Sequence, residues 1–273
     1  MKIYYLGPKG SYSHILAQKV FAKDAHFIAC DSFFDVIRLV QQDSQSIGAL
    51  AIENSISSSV HQTVDLLYNT DVCIVGEASM YIALQLLGTS SSNEQEIKKV
   101  YSHPQALAQC AEYIAKHNLI SLETLSTSAA VHKILKDNSQ DAAAIANIES
   151  FEDKNLVILN KDIANVPNNM TRWVFIAKPG SAALSKTINK VTYIFKVKHE
   201  PGSLVMVLDK MAKLKGNLTK IESRPLPGTH WEYGFWIDIE IEEQLIQPFD
   251  DMMKETTLEC RRVGAYEKGK LYS

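Results

Sequence analysis

Asn168, Asn169, Thr171 and Arg172 bring two amides, a hydroxyl and a guanidinium into one short run, Asn168-Asn169-Met170-Thr171-Arg172-Trp173. The apolar residues Val174-Phe175-Ile176-Ala177 follow directly and read as a buried strand. A strand end can hold such groups rigidly at the mouth of a cleft. There Arg172 could grip a carboxylate with a two-pronged hydrogen bond, and Thr171 could donate a hydrogen bond to a departing oxygen. The same residue types also close turns and cap loops, so the run alone fits either reading.

Similar chemistry recurs where other strands give way to helices. Ile3 to Leu6 reads as a strand, Gly7-Pro8-Lys9-Gly10 as a turn, and Ser11-Tyr12-Ser13 as a helix start. The apolar strand Ile47 to Ile52 ends in Glu53-Asn54-Ser55, Val100-Tyr101 leads into Ser102-His103-Pro104-Gln105, and Ile120 to Leu125 leads into Ser126-Thr127-Ser128. Each is an ordinary helix cap when taken singly. Free backbone N–H groups at helix starts attract anions, and ligands of open α/β sheets sit at the carboxyl ends of strands. Together these starts and Thr171-Arg172 predict one polar cleft for a small anion. The glycines match neither a dinucleotide fingerprint nor a Walker loop, so no nucleotide site is expected.

Those groups need a scaffold, and the composition allows an ordinary one. The 273 residues are 46% hydrophobic and 22% charged, enough to bury a proper core in one large domain or two smaller ones. A net charge of -3 argues against a nucleic-acid partner or a basic membrane-surface protein. Cys30, Cys73, Cys110 and Cys260 form no Cys-x-x-Cys pair and no zinc spacing, and the histidines are scattered. Buried free thiols in a reducing compartment and no metal are therefore expected. The N-terminal apolar run is too short for a signal peptide, and no segment is long and apolar enough to span a bilayer. A cytoplasmic location is expected.

Strands alternate with helices as far as Ala177, which gives an α/β domain with a mostly parallel sheet. Val72 to Leu87 reads as two strands with a crossover between two lobes near Gly76-Glu77-Ala78. Residues 178–189 read as a linker. Beyond it the order becomes βαββαβ, a ferredoxin-like arrangement of a size that folds alone. Its strands lie over Val191 to Val197, Asn217 to Ser223, Tyr233 to Glu240 and Arg261 to Tyr266, with helices from Ser203 and from Phe249 to Glu259.

The first domain resembles the prephenate dehydratase family. The stretches that carry the likeness are Gly7 to Ser13, Ile52-Glu53-Asn54-Ser55, Thr63 to Leu67, Ser102 to Cys110 and Asn169-Met170-Thr171-Arg172-Trp173. The second resembles the ACT regulatory domain of the same enzymes through Pro201-Gly202-Ser203-Leu204, Asn217-Leu218-Thr219 and Glu222-Ser223-Arg224-Pro225. Their order and spacing over two domains make the likeness specific. The sequence departs from the family where Trp173 replaces Phe, Ser11-Tyr12-Ser13 replaces Thr-Phe-Ser, Ser58 replaces Gly and Ser203 replaces Ala. No chorismate mutase domain precedes the dehydratase-like region, so a monofunctional enzyme is expected.

The resemblance implies decarboxylating dehydration of prephenate to phenylpyruvate in phenylalanine biosynthesis. It implies a two-lobed catalytic domain like periplasmic binding proteins over residues 1–180, with lobes of roughly 1–76 plus 160–180 and of 77–159. It implies an ACT domain over 188–268 that binds phenylalanine as an inhibitor, and a homodimer or homotetramer. The reaction makes an aromatic ring, so no cofactor is needed. By resemblance Thr171 assists the leaving hydroxide, Arg172 orients a carboxylate, and Ser11, Asn54, Ser55, Ser102, Ser126, Thr127, Ser128 and Asn169 hold the rest of prephenate. Gly202, Ser203, Leu204, Val205, Asn217, Leu218, Glu222, Ser223, Arg224 and Pro225 would border the phenylalanine site between subunits. The alternatives are an arogenate dehydratase and a non-catalytic amino-acid sensor, which share these folds.

Overall fold

The computed structural model describes residues 1–21, 24–151, 153–161, 163–181, 184–226 and 232–272. The chain begins β1 (Lys2–Leu6), α1 (Tyr12–Val20), β2 (His26–Cys30), α2 (Phe33–Gln42), β3 (Ser46–Asn54), β4 (Ser58–Ser59), α3 (His61–Tyr68) and β5 (Cys73–Tyr81). It continues as β6 (Gln85–Thr89), β7 (Lys99–Ser102), α4 (Pro104–Gln109), α5 (Ala111–Lys116), β8 (Ile120–Glu123), α6 (Thr127–Asp137), β9 (Ala142–Ala146) and β10 (Leu156–Asn160). Then β11 (Met170–Ala177) returns to the first lobe. The C-terminal part is β12 (Lys190–Lys196), α7 (Ser203–Lys213), β13 (Asn217–Pro225), β14 (Tyr233–Glu240), α8 (Ile246–Thr256), β15 (Glu259–Tyr266) and β16 (Lys270–Tyr272).

Local chemistry sets the helix starts. Ser11, Ser32 and Ser126 each accept the N–H three residues on, which satisfies one orphan donor at the N-termini of α1, α2 and α6. Ser58 stands at φ 64°, in the left-handed region that favours glycine. Asn168 lies at φ 60°, so this first amide of the 168–173 run is a turn residue.

Two sheets define two lobes. In the first, β1, β2, β3 and β5 share one direction and β11 runs against β3 and β5. In the second, β7, β8 and β9 are parallel and β6 opposes β9 and β10. Each lobe is thus mostly parallel in strand direction, as expected, with one opposed strand, β11 or β6, that crosses from the other lobe and enters from the opposite end. The break between lobes differs from expectation. β5 is unbroken through Gly76-Glu77-Ala78, paired along β11, and the chain leaves it only at residues 82–84. Of the 178–189 linker, residues 182–183 lie outside the described residues.

The C-terminal strands adopt the order β13-β14-β12-β15, as a ferredoxin-like βαββαβ unit requires. This sheet joins that of the first lobe through β15 beside β5 and β16 along β5. Its apolar face packs on α7 and α8 around Tyr193, Phe195 and Phe249. Its other face meets the first lobe: Ile194, Trp236, Val263 and Tyr266 share one core with Leu50, Val64, Val174 and Ile176. From β11, Trp173, Phe175 and Ala177 pack on the opposite side with Tyr5 and Phe21. All four cysteines are free; Cys30 and Cys110 are buried, and burial pushes the Cys110 thiol up to about 12.

Candidate active site

A cavity of about 350 Å³ lies between the two lobes, a size suited to a small metabolite. Ser11, Tyr12 and Trp173 line it from the first lobe, with Asn54, Asn169 and Thr171 beneath and His103, Gln105, Gln109, Ser126 and Thr127 across from them. Among these lining residues there is no lysine, arginine, aspartate or glutamate. Three helix starts supply positive potential instead: α1 behind Ser11, α4 behind His103 and α6 behind Ser126. The first N–H groups of α1 and α6, those of Tyr12, Ser13, Thr127 and Ser128, have no carbonyl a turn back within their own helices.

A chain of amides prepares Thr171. The Asn54 Oδ1 accepts the backbone N–H groups of Ile56 and Ser57 at 3.0 and 2.9 Å, which fixes which end of that amide is oxygen. The Asn54 Nδ2 therefore faces Thr171 and donates to its Oγ1 at 2.9 Å. Its two hydrogens are shared among that oxygen, Asn169 Oδ1 at 2.6 Å and the Met170 carbonyl at 3.0 Å, and Asn169 Nδ2 in turn donates to Gln109 Oε1 at 3.3 Å in the opposite lobe. The Thr171 hydroxyl keeps its own O–H free to donate while Asn54 orients its oxygen. Thr171 is buried at 8% exposure, so a donor there acts in a medium that screens little. Trp173, two residues on, donates from Nε1 to Ser13 Oγ at 3.0 Å.

Other anticipated residues divide. Ser11, Asn54, Asn169, Ser126, Thr127 and Thr171 do meet at the cavity. Ser102 is fully buried and donates to the Ile145 carbonyl at 2.6 Å, and Ser128 is buried inside α6; neither lines the cavity. Ser55 accepts the Met170 N–H at 2.9 Å and so clips the end of β3 to the start of β11 instead of facing the cleft. Residues not singled out are present too. Gln105 donates from Nε2 to Ser57 Oγ at 3.1 Å across the lobes, and His103 Nδ1 accepts the Gln105 N–H. Gln105 and Gln109 stand four apart on α4, a spacing that puts both on one helix face and could have revealed them.

The main correction concerns Arg172. It was expected to orient a substrate carboxylate, yet side chains alternate along a strand, so it leaves β11 on the side opposite Thr171 and Trp173. Its side chain is 13% exposed and is held by Glu53 at 2.8 Å, Glu77 at 2.9 Å and Asp238 at 2.7 Å. Burial works against its charge, but Asp238, Glu77 and Glu53 outweigh it and hold the guanidinium protonated. In the same way burial opposes the Asp238 charge, and Arg172 and Lys190 hold its carboxyl below the usual aspartate range. Four of its five N–H donors go to carboxylates, and Arg172 is not among the residues that line the cavity.

A second cavity, about 600 Å³, opens in the C-terminal domain beside the start of α7. Pro201, Ser203, Leu204, Ser223, Tyr233 and Phe235 border it among the described residues. Gly202 precedes it at φ 88°, a left-handed turn that glycine allows. Gly202, Val205, Asn217, Leu218, Glu222, Arg224 and Pro225 do not line it, though they were expected around one effector site. Glu222 bonds Ser59 and His61, and Arg224 bonds Asp65, all in the first lobe. Burial opposes the Glu222 charge, but the Ser59 hydroxyl and Lys220 hold its carboxyl down. Alternation along β13 again explains the split, because Ser223 points away from both of its neighbours.

Comparison with known proteins bears on residues 3–181, which match the family model for prephenate dehydratase. The prephenate dehydratase of Methanocaldococcus jannaschii is 35% identical over 269 residues, covering 97% of each chain. The prephenate dehydratase structure from Staphylococcus aureus superposes with a TM-score of 0.86 at 30% identity, over 98% of this chain and 100% of that one. A prephenate dehydratase from Arthrobacter aurescens in complex with L-Phe gives a TM-score of 0.86 at 26% identity, over 98% of this chain and 90% of that one.

Proposed function

The chain belongs to the prephenate dehydratase family, and we propose that the cleft between its lobes converts prephenate to phenylpyruvate under control by phenylalanine. The reaction breaks the bond between the ring and its carboxylate, which leaves as carbon dioxide. The electron pair moves into the ring, and the ring hydroxyl leaves with a proton as water. Aromatisation drives the step, so the protein has to hold the dianion and help the hydroxide depart. The observation that carries this reading is Thr171 at the cavity wall, its Oγ1 held 2.9 Å from Asn54 Nδ2, which orients the hydroxyl while leaving its own O–H to donate. Developing charge on the departing oxygen strengthens that bond, an electrostatic stabilisation in a buried site.

The two substrate carboxylates would rest on the starts of α1 and α6, whose N–H groups and dipoles favour anions. This assigns to backbone the task expected of Arg172. Asn169, Gln105 and Gln109 would close around the ring from both lobes and hold it in a reactive pose. Ser11 and Ser126 serve the site as caps that keep those helix starts in place.

Residues 1–180 make the catalytic domain in this reading, with the lobes parting at residues 82–84. Residues 188–268 make an ACT regulatory domain. The cavity at Ser203, Leu204 and Ser223 supports a phenylalanine site there: its aromatic wall of Tyr233 and Phe235 suits the ring, and the start of α7 suits the carboxylate. Val205 and Met206 on α7, Ile221 on β13 and Leu258 are exposed large apolar residues of this domain, which supports a homodimer or homotetramer joined through it. Size-exclusion chromatography with light scattering would give the copy number.

The test is a direct assay. Purified protein is given prephenate, and phenylpyruvate is read by its ultraviolet absorbance in alkali, with and without phenylalanine. Product that falls on adding phenylalanine is the expected result. Ser223→Ala should weaken that inhibition and leave basal turnover intact. No product from prephenate, with turnover of arogenate, would shift the substrate assignment; inertness to both would overturn the reading.

A further inference from the structure

Two cross-strand pairs lie next to each other where β3 meets β11. Thr171 is paired with Asn54, and Arg172 with Glu53. The first pair faces the cleft and carries the donor contact. The second faces the C-terminal domain, as strand alternation demands. There Asp238 of β14 accepts from Arg172 Nη2 at 2.7 Å, and Lys220 of β13 lies 3.4 Å from Glu53 Oε1. Each half of the ionic pair is thus gripped by a different strand of the regulatory sheet. Asp238 is itself pinned, because Thr192 Oγ1 and Trp236 Nε1 donate to its Oδ1 at 2.8 and 2.9 Å. Lys190 reaches across to both oxygens of Glu77, a further Arg172 partner, at 2.9 Å.

The contact between domains is close enough for the grip to be stiff. A Cβ on Gly234 would run into the Tyr68 ring, and a Cβ on Gly264 or Gly269 would run into the backbone carbonyl of Ile74 or Glu77. In each case the glycine belongs to the C-terminal part and the obstacle to the first lobe.

We infer that Asp238 and Lys220 are positioning residues for the dehydration step: through Arg172 and Glu53 they set the alignment of Thr171 with Asn54. The inference rests on the proposed reaction for its kinetic test. The C-terminal domain is then a working part of the catalytic strand pair. A shift of β13 or β14 reaches the donor hydroxyl across one peptide unit, and a misplacement of about 1 Å at such a group costs on the order of 10²-fold in rate.

Asp238→Asn tests this in the full chain. The substitution keeps an oxygen for Thr192 and Trp236, but it sets an N–H₂ against the Arg172 guanidinium and breaks that one link. The expected result is a fall in kcat of about 10-fold with KM for prephenate changed less than about two-fold. Thr171→Ala supplies the control background. If Asp238 acts through Thr171, adding Asp238→Asn to Thr171→Ala lowers kcat no further, whereas independent effects multiply. Multiplying effects, or an unchanged kcat in Asp238→Asn, would overturn the inference. A second readout does not depend on turnover: the side-chain amide resonance of Asn54, followed by nuclear magnetic resonance, should move in Asp238→Asn and in Lys220→Gln. If wild-type protein fails to turn over prephenate, that resonance alone decides. Its movement upholds the coupling without the reaction, and its constancy refutes it.

Discussion

The two faces of β11 solve opposite problems with neighbouring residues. The cleft face, at Thr171 and Trp173, uses uncharged donors, ordered amides and helix starts. The other face, at Arg172, buries a guanidinium among Glu53, Glu77 and Asp238 and ties two domains together. Among the described residues the cleft proposed for a dianion is thus lined by no lysine or arginine, while the strongest charges nearby bind one another and reach the site only through the strand pair. The difference is physically sensible. A guanidinium that gives four of its five donors to carboxylates has little left for a ligand on the far side of the strand, and backbone N–H groups at a helix start provide favourable potential with no flexible side chain to order.

Breaking the charged face should have the largest effect on stability. Arg172→Met leaves Asp238 and Glu77 buried with Lys190 as their remaining cation, and loss of one partner from such a cluster costs about 3–5 kcal/mol. Urea unfolding should show that loss. A variant that unfolds like wild type but binds prephenate poorly would return Arg172 to the substrate. Breaking the cleft face should do the reverse. Thr171→Ala should lower kcat on the order of 10²-fold with the unfolding midpoint nearly kept, and Thr171→Ser should recover much of the rate. Equal turnover in Thr171→Ala and wild type would remove the hydroxyl from the mechanism.

Acid sharpens the contrast at a smaller scale. The Asp238 carboxyl is depressed in the folded protein, so its contribution is complete above the ordinary aspartate value of about 4 and is lost as pH falls through the lower folded value. The difference in melting temperature between wild type and Asp238→Asn should stay level from neutrality to about pH 4 and close below it. A difference that widened in acid would have the wrong sign for this pairing. The smallest effect belongs to the caps. Ser126→Ala removes the acceptor for the Ala129 N–H, which should cost about 1 kcal/mol of stability. It should also raise KM for prephenate while nearly preserving kcat if, as proposed, the start of α6 holds substrate and does not assist departure. A fall in kcat with an unchanged KM would place that helix start nearer the chemistry.

Much of this was legible in the residues. Polar groups gathered after apolar strands at Ser11, Asn54 and Ser126 and ahead of one at Thr171, and strand-end geometry brings these four to one cavity. The βαββαβ order of the C-terminal part was equally open to view, because its half-buried strands and amphipathic helices carry clear periods. Ser55, Ser102 and Ser128 misled because a hydroxyl beside a helix start looks the same whether it faces the cleft or closes a bond to a neighbouring carbonyl or N–H.

By itself the sequence determined the elements, the two kinds of domain and the strand ends where a small anion could be held, since local periodicity and capping encode these. Tertiary structure alone decided which face of β11 each residue serves. Val174-Phe175-Ile176-Ala177 is apolar on both sides, so no alternation marks a cleft side. The orientation of Arg172 follows from Asp238 arriving on β14, sixty-six residues away in the chain. The break between lobes was hidden because Gly76 and the charged Glu77 interrupt the apolar run, and only the pairing of β5 along β11 shows that the strand runs on to Tyr81.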